Sequence, residues 1–241
     1  MRAMIFAAGL GTRLKPFTDH HPKALAMVND KSLLERNVLY LQNHHIFEVI
    51  VNVHHFADQI IEAITINNGW GSNIIISDET DAVLETGGGL MKAKSYLENE
   101  GSFVVMNADI LTDMPLSSMI AIHKKNKPLA TLAVSDRESS RCLLFDDRDR
   151  MVGWRNRITG DQKAFLNENS EEKIKEKSFS GIHIISNDIF NKNRFEGKFS
   201  MIDVYLDLCS TNYIQAYDHT GSLFIDVGKP ESVAMAEKLF Q

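Results

Sequence analysis

The chain has 241 residues, of which 44% are hydrophobic and 24% are charged, and its formal net charge at pH 7 is −6. This apolar fraction is sufficient for the core of one α/β domain, whereas the negative charge disfavours a broad nucleic-acid surface. The two cysteines form no CxxC pair, and no apolar run approaches the ~18 residues that span a bilayer. We therefore expect a cytoplasmic protein with neither a nucleic-acid nor a membrane partner.

Short apolar runs alternate with helical spacings in the first half of the chain. Four runs predict strands, at residues 2–8, 47–53, 73–77 and 103–107. Between them, apolar residues recur at +3 and +4, which places each set on one helical face. The two sets are Leu34, Val38, Leu41 and Phe56, Ile60, Ile64. This alternation predicts a Rossmann-like, doubly wound and mostly parallel sheet of the α/β class.

The second half of the chain has a different pattern. A helix (residues 116–123) and a buried strand (129–134) are followed by two short strands around a charged turn, within 142–156. A charge-rich run at 166–177 predicts a loop or a short helix, and it precedes a longer strand at 178–186. A strand at 223–227 and a final helix that carries Val233, Ala236 and Phe240 close the chain.

We expect one domain over residues 1–241. Residues 1–135 form its nucleotide-binding part, and residues 136–241 add a smaller antiparallel sub-region with the closing strand and helix.

A glycine-rich basic loop follows the first strand. It reads FAAGLGTRLKPFTDHHPKAL, residues 6–25, with Gly9 and Gly11 ahead of Arg13 and Lys23. Loops at the carboxyl ends of parallel strands bind ligands, and glycines with cations favour an anion. The dinucleotide pattern GxGxxG fails at Leu14, and no Walker motif is present. The loop alone also fits a plain strand-to-helix turn with a salt-bridged arginine.

Two aspartates lie at predicted strand ends. Asp109 follows the strand at 103–107, and Asp226 lies in the strand LFIDV. Mg²⁺ takes one or two carboxylates and completes its shell with phosphate oxygens and water. Each aspartate alone could instead cap a helix or a turn. Together with the basic loop, they predict a Mg²⁺ site.

Three consecutive glycines stand in LETGGGLMKA, residues 84–93, where a helix is predicted to begin. Each costs about 1 kcal/mol relative to alanine inside a helix, so the run needs a reason. A tight turn is one. The reason that we favour is a nucleoside or sugar that lies against the bare backbone of Gly87 and Gly88, with Glu85 and Thr86 bonding its edge.

These features suit a reaction that needs a metal and cations but no dedicated base. No Ser–His–Asp or Cys–His arrangement is legible in the sequence. A sugar 1-phosphate is mostly a dianion at neutral pH, so it can attack the α-phosphorus of a nucleoside triphosphate without being deprotonated.

The opening stretch MRAMIFAAGLGTRLKPFTDHHPKAL resembles the AAGxGTRLxPLTxxxPKPL signature of sugar-1-phosphate nucleotidylyltransferases. The resemblance continues through LETGGGLMKA, VVMNAD, FSGIHII and FIDVGKPE. It implies transfer of a nucleoside monophosphate from a nucleoside triphosphate to a sugar 1-phosphate, with Mg²⁺. The chain looks most like members that use UTP with N-acetylmuramate 1-phosphate, in cell-wall metabolism. The alternative is GTP with mannose or heptose 1-phosphate.

The resemblance also implies roles for individual residues. Arg13 and Lys23 are the implied catalytic residues, and Asp109 and Asp226 the implied Mg²⁺ ligands. The implied nucleotide-binding residues are Ala8, Gly9, Gly11, Thr12, Arg13, Glu85, Thr86, Gly87 and Gly88. The implied sugar-phosphate residues are Lys23, Asn107, Ser180 and Gly181. Two positions depart from the pattern, because Ala24 replaces a proline and Ala108 replaces a glycine; both leave room for an altered acceptor.

Two other classes of protein stay open from the residues alone. A nicotinamide-dependent oxidoreductase would use the same sheet, but Leu14 and a missing ribose-binding carboxylate count against it. A non-catalytic sensor of nucleotide-sugars would explain Ala24 and Ala108, but the intact Arg13 and Lys23 argue against it.

Overall fold

The structure, a computed structural model, describes residues 1–165 and 173–240. Its strands are β1 (Ala3–Phe6), β2 (Met27–Val28), β3 (Lys31–Ser32), β4 (Glu48–Val53), β5 (Asn73–Asp78), β6 (Ser102–Asn107), β7 (Ile110–Thr112), β8 (Ala130–Ser135), β9 (Arg141–Phe145), β10 (Met151–Asn156), β11 (Gln162–Ala164), β12 (Lys175–Ser186), β13 (Ile214–Asp218) and β14 (Phe224–Asp226). Its α-helices are α1 (Leu33–Asn43), α2 (Ala57–Ile66), α3 (Glu85–Lys92), α4 (Lys94–Leu97), α5 (Leu116–Asn126), α6 (Ile189–Lys192), α7 (Met201–Leu208) and α8 (Pro230–Leu239).

A parallel group of strands forms one side of the main sheet. β1 lies between β4 and β6 and runs parallel to both, and β4 pairs in parallel with β5. Because these strands share a direction, their carboxyl ends meet at one edge of the sheet. That edge carries the loops that follow Phe6, Val53, Asp78 and Asn107.

The long strand β12 joins this group to the rest of the sheet. It runs antiparallel to β6 and to β8, and β8 pairs in parallel with β13. Its first residues pair instead with β9, which continues into β10 and β11. The pairing of β12 with β8 shifts between Phe179 and His183, around Gly181 with φ +72°. Since β8 and β13 run parallel to β1, they end at the same edge of the sheet as β1, β4, β5 and β6.

Both faces of the main sheet are buried. Alternate residues of β1 enter different clusters, because Met4 and Phe6 pack on one side while Ala3 and Ile5 pack on the other. Helices cover both faces, as a doubly wound sheet requires. The mostly parallel α/β fold with a smaller antiparallel extension, predicted above, is confirmed.

Two predicted segments differ in detail. The strand LFIDV does not join the main sheet: β14 pairs with β7 in a separate two-stranded sheet, because the register of Asp226 with Ile110 ties it to the segment after β6. Within the charged run at 166–177, residues 166–172 lie outside the described residues. Lys175, Glu176 and Lys177 form a strand because they pair with β9, whereas the sequence pattern predicted a loop or a short helix there.

None of the helices in the described part of the chain is both long enough and apolar enough to cross a bilayer.

Candidate active site

A cavity of about 250 Å³ opens at the carboxyl edge of β1, β4, β5 and β6. Its walls come from the loop after β1, from the ends of the neighbouring strands and from the start of α3. The lining residues are Phe6, Ala7, Ala8, Gly9, Lys23, Ala24, Asn52, Glu79, Val83, Glu85, Thr86, Asn107, Ala108 and Asp109. Seven of the residues predicted to bind substrate or metal are therefore at this cavity: Ala8, Gly9, Lys23, Glu85, Thr86, Asn107 and Asp109.

Asn52 fixes the beginning of the loop after β1. Its side chain is buried near the end of β4, and its Oδ1 accepts hydrogen bonds from the backbone N–H groups of Ala7 at 2.7 Å and Ala8 at 3.3 Å. Its Nδ2 donates to Glu79 Oε1 at 2.8 Å. A buried amide that uses both ends in this way holds three strand ends in one arrangement.

Gly11 allows the loop to fold back on itself. It adopts φ +63°, and a Cβ there would lie 2.8 Å from Thr18 Cγ2 and 2.9 Å from Lys23 Cβ. The Thr18 hydroxyl donates to the Gly11 carbonyl oxygen at 2.9 Å. The close approach places Lys23 at the cavity, so glycine at this position serves both the turn and the packing.

Asp109 and Asp226 lie side by side, although 117 positions separate them. β14 pairs with β7, which begins at Ile110, and the N–H of Val227 donates to the Asp109 carbonyl oxygen at 2.8 Å. Lys23 Nζ forms an ion pair with Asp109 Oδ2 and lies 3.9 Å from Asp226 Oδ1. Both predicted carboxylates therefore share one cation.

Arg13 lies on the outer side of this pair. Its Nη2 is 4.0 Å from Asp226 Oδ2, and the guanidinium is more than half exposed. A Cβ on Gly228 would lie 2.7 Å from Asp226 Oδ1 and 3.1 Å from Arg13 Nη2. The glycine after the last strand thus lets the arginine approach. Arg13, Gly11 and Thr12 lie beside the cavity and are not among its lining residues.

The two aspartates fit a divalent cation. Asp109 Oδ1 and Asp226 Oδ1 are both buried and have no hydrogen-bond partner. Burial raises the pKa of Asp226, and the nearby Asp109 raises it further. Buried carboxylate oxygens without a hydrogen-bond partner on two neighbouring side chains favour a bound cation. No cluster of three or more His, Cys, Asp or Glu side chains suited to a metal occurs among residues 1–165 and 173–240, so the remaining ligands would come from substrate and water, as is usual for Mg²⁺.

The run Gly87–Gly88–Gly89 packs closely against other segments of the chain. The N–H groups of Gly87 and Gly88 donate to the Phe199 carbonyl oxygen, at 2.9 and 3.3 Å. A Cβ on Gly87 would overlap the Phe199 ring, and one on Gly88 the carbonyl oxygen of Gly197. Neither glycine lines the cavity. The backbone of both glycines packs against the chain's own segment before α7, and their contact with a nucleoside stays a prediction.

Glu85 and Thr86, just before the glycines, keep their place at the cavity. Glu85 has φ +59°, a left-handed backbone that a non-glycine residue rarely adopts, and its carboxylate lies 3.5 Å from Lys198 Nζ. Thr86 Oγ1 accepts a hydrogen bond from the Met201 N–H at 2.9 Å. Backbone strain of this kind is concentrated at ligand sites.

Ser180 and Gly181, predicted for the sugar pocket, lie behind the cavity wall. Ser180 is 1% exposed, and its Oγ is 2.8 Å from His219 Nε2. A Cβ on Gly181 would lie 2.8 Å from Asn107 Nδ2. Asn107 does line the cavity. The structure thus places Gly181 as the support of Asn107.

Glu79 is the main chemical group that the sequence reading missed. It follows β5, is 1% exposed and lines the cavity. Burial raises its pKa, against the hydrogen bond from Asn52. Its signal was the one that found Asp109, an acidic residue directly after a predicted parallel strand. The buried His123, His183 and His219 were also missed, because nothing in their spacing separates them from surface histidines.

Two cations over a pair of strand-end carboxylates, beside a glycine-rich loop, define a site for transfer of a phosphate-containing group. Residues 2–142 match the model of the family described as Nucleotidyl transferase. This match covers more than half of the chain, and the chain belongs to that family. It is a nucleotidyltransferase.

The chain is similar to several characterised relatives. It is 31% identical over 244 residues to the N-acetylmuramate alpha-1-phosphate uridylyltransferase of Caulobacter vibrioides, covering 98% of this chain and 95% of the relative. It is 28% identical over 234 residues to the D-glycero-alpha-D-manno-heptose 1-phosphate guanylyltransferase of Campylobacter jejuni, covering 96% of each. The crystal structure of HddC from Yersinia pseudotuberculosis superposes with a TM-score of 0.78 at 25% identity, covering 100% of this chain and 99% of that one.

Family membership decides against the oxidoreductase interpretation, which the same sheet had left open. The resemblance drawn from the opening signature is confirmed.

Proposed function

We propose that the protein transfers a nucleoside monophosphate from UTP to N-acetylmuramate 1-phosphate, forming the UDP-sugar and pyrophosphate. The observation that carries this proposal is the shared ion pair of Lys23 with Asp109 and Asp226 at the mouth of the cavity. The likeness to the Caulobacter vibrioides uridylyltransferase over nearly the whole chain supports the choice of substrates.

The nucleotide is proposed to enter the cavity between the loop after β1 and the start of α3. Ala8 and Gly9 face its phosphates and ribose, and a Cβ on Gly9 would meet nothing within 4 Å, so there is room. Glu85 and Thr86 flank the nucleoside. Residues 1–135 would then hold the nucleotide and residues 136–241 the sugar phosphate.

Asp109 and Asp226 are proposed to hold Mg²⁺, on the strength of their orphaned oxygens. When bound, the ion neutralises phosphate charge and orients the phosphates for displacement.

The chemistry requires positioning more than proton transfer. A phosphate oxygen of the sugar 1-phosphate forms a new bond to the α-phosphorus, the bond from that phosphorus to the oxygen bridging to the β-phosphate breaks, and pyrophosphate leaves with the electron pair. Lys23 lies where incoming and α-phosphates would meet, and Arg13 stabilises charge on the triphosphate as a planar fork. No group on the protein has to accept a proton, since the nucleophile is already ionised.

A second substrate pair, GTP with mannose or heptose 1-phosphate, has its own support. The Campylobacter jejuni guanylyltransferase matches this chain over 96% of both proteins. Glu79 offers an acceptor carboxylate to the base, and guanine presents two neighbouring donors where uracil presents one.

Pyrophosphate release tests the proposal. UTP, GTP, CTP and dTTP are crossed with the 1-phosphates of N-acetylmuramate, mannose, glucose and heptose, in Mg²⁺, with Asp109→Asn as the blank. We expect the fastest release from UTP with N-acetylmuramate 1-phosphate. Fastest release from GTP with mannose or heptose 1-phosphate would establish the second pair instead. No release above the blank from any of the sixteen mixtures would contradict both.

A further inference from the structure

Arg137 stands at the edge of the sheet where the proposed substrates meet. It follows β8 by two residues, and β8 ends at the same edge as β13. The first part of β12 passes this edge as well, with Phe179 opposite Val134. Sequence reasoning gave Arg137 no role, because it belongs to no glycine-rich or acidic motif.

Two contacts hold the Arg137 guanidinium in place. Its Nη2 donates to the Phe179 carbonyl oxygen at 2.6 Å, and its central carbon lies 5.0 Å from the centre of the Phe224 ring. A guanidinium fixed on a ring and a carbonyl loses little further freedom when it binds an oxyanion. Among the described residues, its other N–H groups have no hydrogen-bond acceptor within reach.

Phe224 connects Arg137 to the metal-binding carboxylates. Phe224 and Asp226 are two residues apart on β14, so their side chains project from the same face of that strand. The guanidinium on the ring is therefore on the Asp226 side. Burial lowers the pKa of Arg137, and the negative charge of the nearby Asp226 opposes that shift.

Buried polar groups lie next to the Phe224 ring on which the guanidinium rests. The His219 ring lies 5.7 Å from the Phe224 ring and bonds Ser180 through Nε2. His219 Nδ1 and Ser135 Oγ are buried without a hydrogen-bond partner. Arg137 is a third cation near Asp226, besides Arg13 and Lys23.

We propose that Arg137 binds the phosphate of the sugar 1-phosphate and so determines the affinity for the acceptor substrate. This inference rests on the proposed function and adds a residue to it. The planar fork suits two phosphate oxygens, and a fixed phosphate leaves its third free oxygen to attack. A carboxylate on the sugar could make the same fork, so acceptors with and without a carboxylate distinguish the two sources.

The test is the steady-state kinetics of Arg137→Ala and Arg137→Lys. We expect Arg137→Ala to raise the KM for the sugar 1-phosphate by 10- to 100-fold, while the KM for the nucleoside triphosphate changes less than twofold. Arg137→Lys should recover part of this loss, because lysine keeps the charge without the fork. A merely structural role would instead lower the amount of active enzyme and leave both KM values alone.

Arg150→Ala is the matched control. Arg150 also lies over an aromatic ring, that of Tyr213 at 5.8 Å, but it is at the opposite end of β13, where it bridges to Gln215. It should have wild-type KM values. The acceptors are N-acetylmuramate 1-phosphate and N-acetylglucosamine 1-phosphate: an equal loss with both indicates the phosphate, and a loss confined to the first indicates the carboxylate and overturns the phosphate assignment.

The failures are separable. Wild-type turnover with an unchanged acceptor KM in Arg137→Ala would overturn the inference and leave the proposed function standing. No turnover by the wild type with any acceptor would overturn the proposed function and, with it, the role of Arg137.

Discussion

The two sides of the site are built in different ways. On the proposed nucleotide side, several cavity groups follow a parallel strand closely, as Ala8, Glu79 and Asp109 do, and the buried Asn52 ties the chain at Ala8 to Glu79. On the proposed acceptor side, Arg137, Ser180 and His219 come from three strands or their ends, and one of these strands runs antiparallel to the others. Residues at the ends of parallel strands can be recognised from the sequence. Residues that meet across an antiparallel strand depend on the pairing register of that strand, which the sequence pattern does not give.

The largest expected effect is at the point where the two sides join. We expect Asp109→Asn or Asp226→Asn to lower turnover by at least a factor of 100, on the order of 3 kcal/mol of transition-state stabilisation, because each removes a charged ligand of the proposed Mg²⁺ site. Initial rates of pyrophosphate release check this. Asp149→Asn, which removes an exposed carboxylate paired with Lys175 at 2.7 Å, is the control and should keep its rate. Near-wild-type rates in either site variant would remove the metal assignment.

The glycine run of α3 gives the next effect. In an open helix Gly88→Ala would stabilise the protein by about 1 kcal/mol. We expect it to destabilise by about 2 kcal/mol, because the added Cβ would overlap the Gly197 carbonyl oxygen. Urea unfolding measures the sign. Ser95→Ala, at an exposed position of α4, controls for helix propensity. If Gly88→Ala stabilised the protein, the packing role of Gly88 would be contradicted, and its backbone would be free to contact a substrate.

Arg13→Lys isolates the nucleotide side. A lysine keeps the charge near Asp226 but not the fork, so we expect kcat/KM for the nucleoside triphosphate to fall about tenfold, roughly 1.4 kcal/mol. Arg2→Lys, at an arginine paired with Glu100 at 3.5 Å, is the matched control. Kinetics equal to those of the wild type would contradict a role of Arg13 in catalysis and leave only its surface ion pair with Asp226.

Acid sensitivity is expected to come from buried histidines. Burial lowers the pKa of His123 to about 4 and that of His183 to about 3. Both are neutral when folded and gain a proton on unfolding below their ordinary pKa of 6.5, so stability falls as the pH decreases below 6.5. We expect a loss of about 2 kcal/mol per pH unit for the pair, measured by urea unfolding from pH 6.5 to 5.

The variant His123→Gln tests whether the buried histidines cause this loss of stability. It should remove about half of the slope that His123 and His183 contribute, since only one of these two imidazoles still titrates. His20→Gln, at an exposed position, should leave the slope as it is. A slope that is the same in all three proteins would assign the acid sensitivity to other groups.

Most of the parallel sheet and much of the site could be predicted from the sequence. Hydrophobic spacing located β1, β4, β5 and β6, and the loop signature located Lys23. The register of Asp226 beside Ile110 could not be predicted, because β14 leaves the main sheet for a two-stranded pairing that no local pattern encodes. The packing of the α3 glycines could not be predicted for a related reason, because Phe199, which accepts their hydrogen bonds, is more than 100 residues away.

The two departures from the family pattern have a simple structural setting. Ala24 and Ala108 are both buried, and both line the cavity. The Ala108 N–H donates to Phe6 and its carbonyl oxygen accepts from Asn37 Nδ2 at 2.8 Å, so the backbone before Asp109 is held on both sides. Ala108 therefore lines the cavity while its backbone is held in place before Asp109.

The most direct test of the central claim follows the α-phosphate. UTP labelled at the α-phosphorus is incubated with N-acetylmuramate 1-phosphate, Mg²⁺ and the enzyme, and the products are separated. We expect the label to appear in a UDP-sugar at the rate at which unlabelled pyrophosphate is released. We expect Asp226→Asn to abolish the labelling of the sugar and the release of pyrophosphate. Label that stays in UTP, or that appears as free UMP without sugar attached, would contradict the proposed transfer.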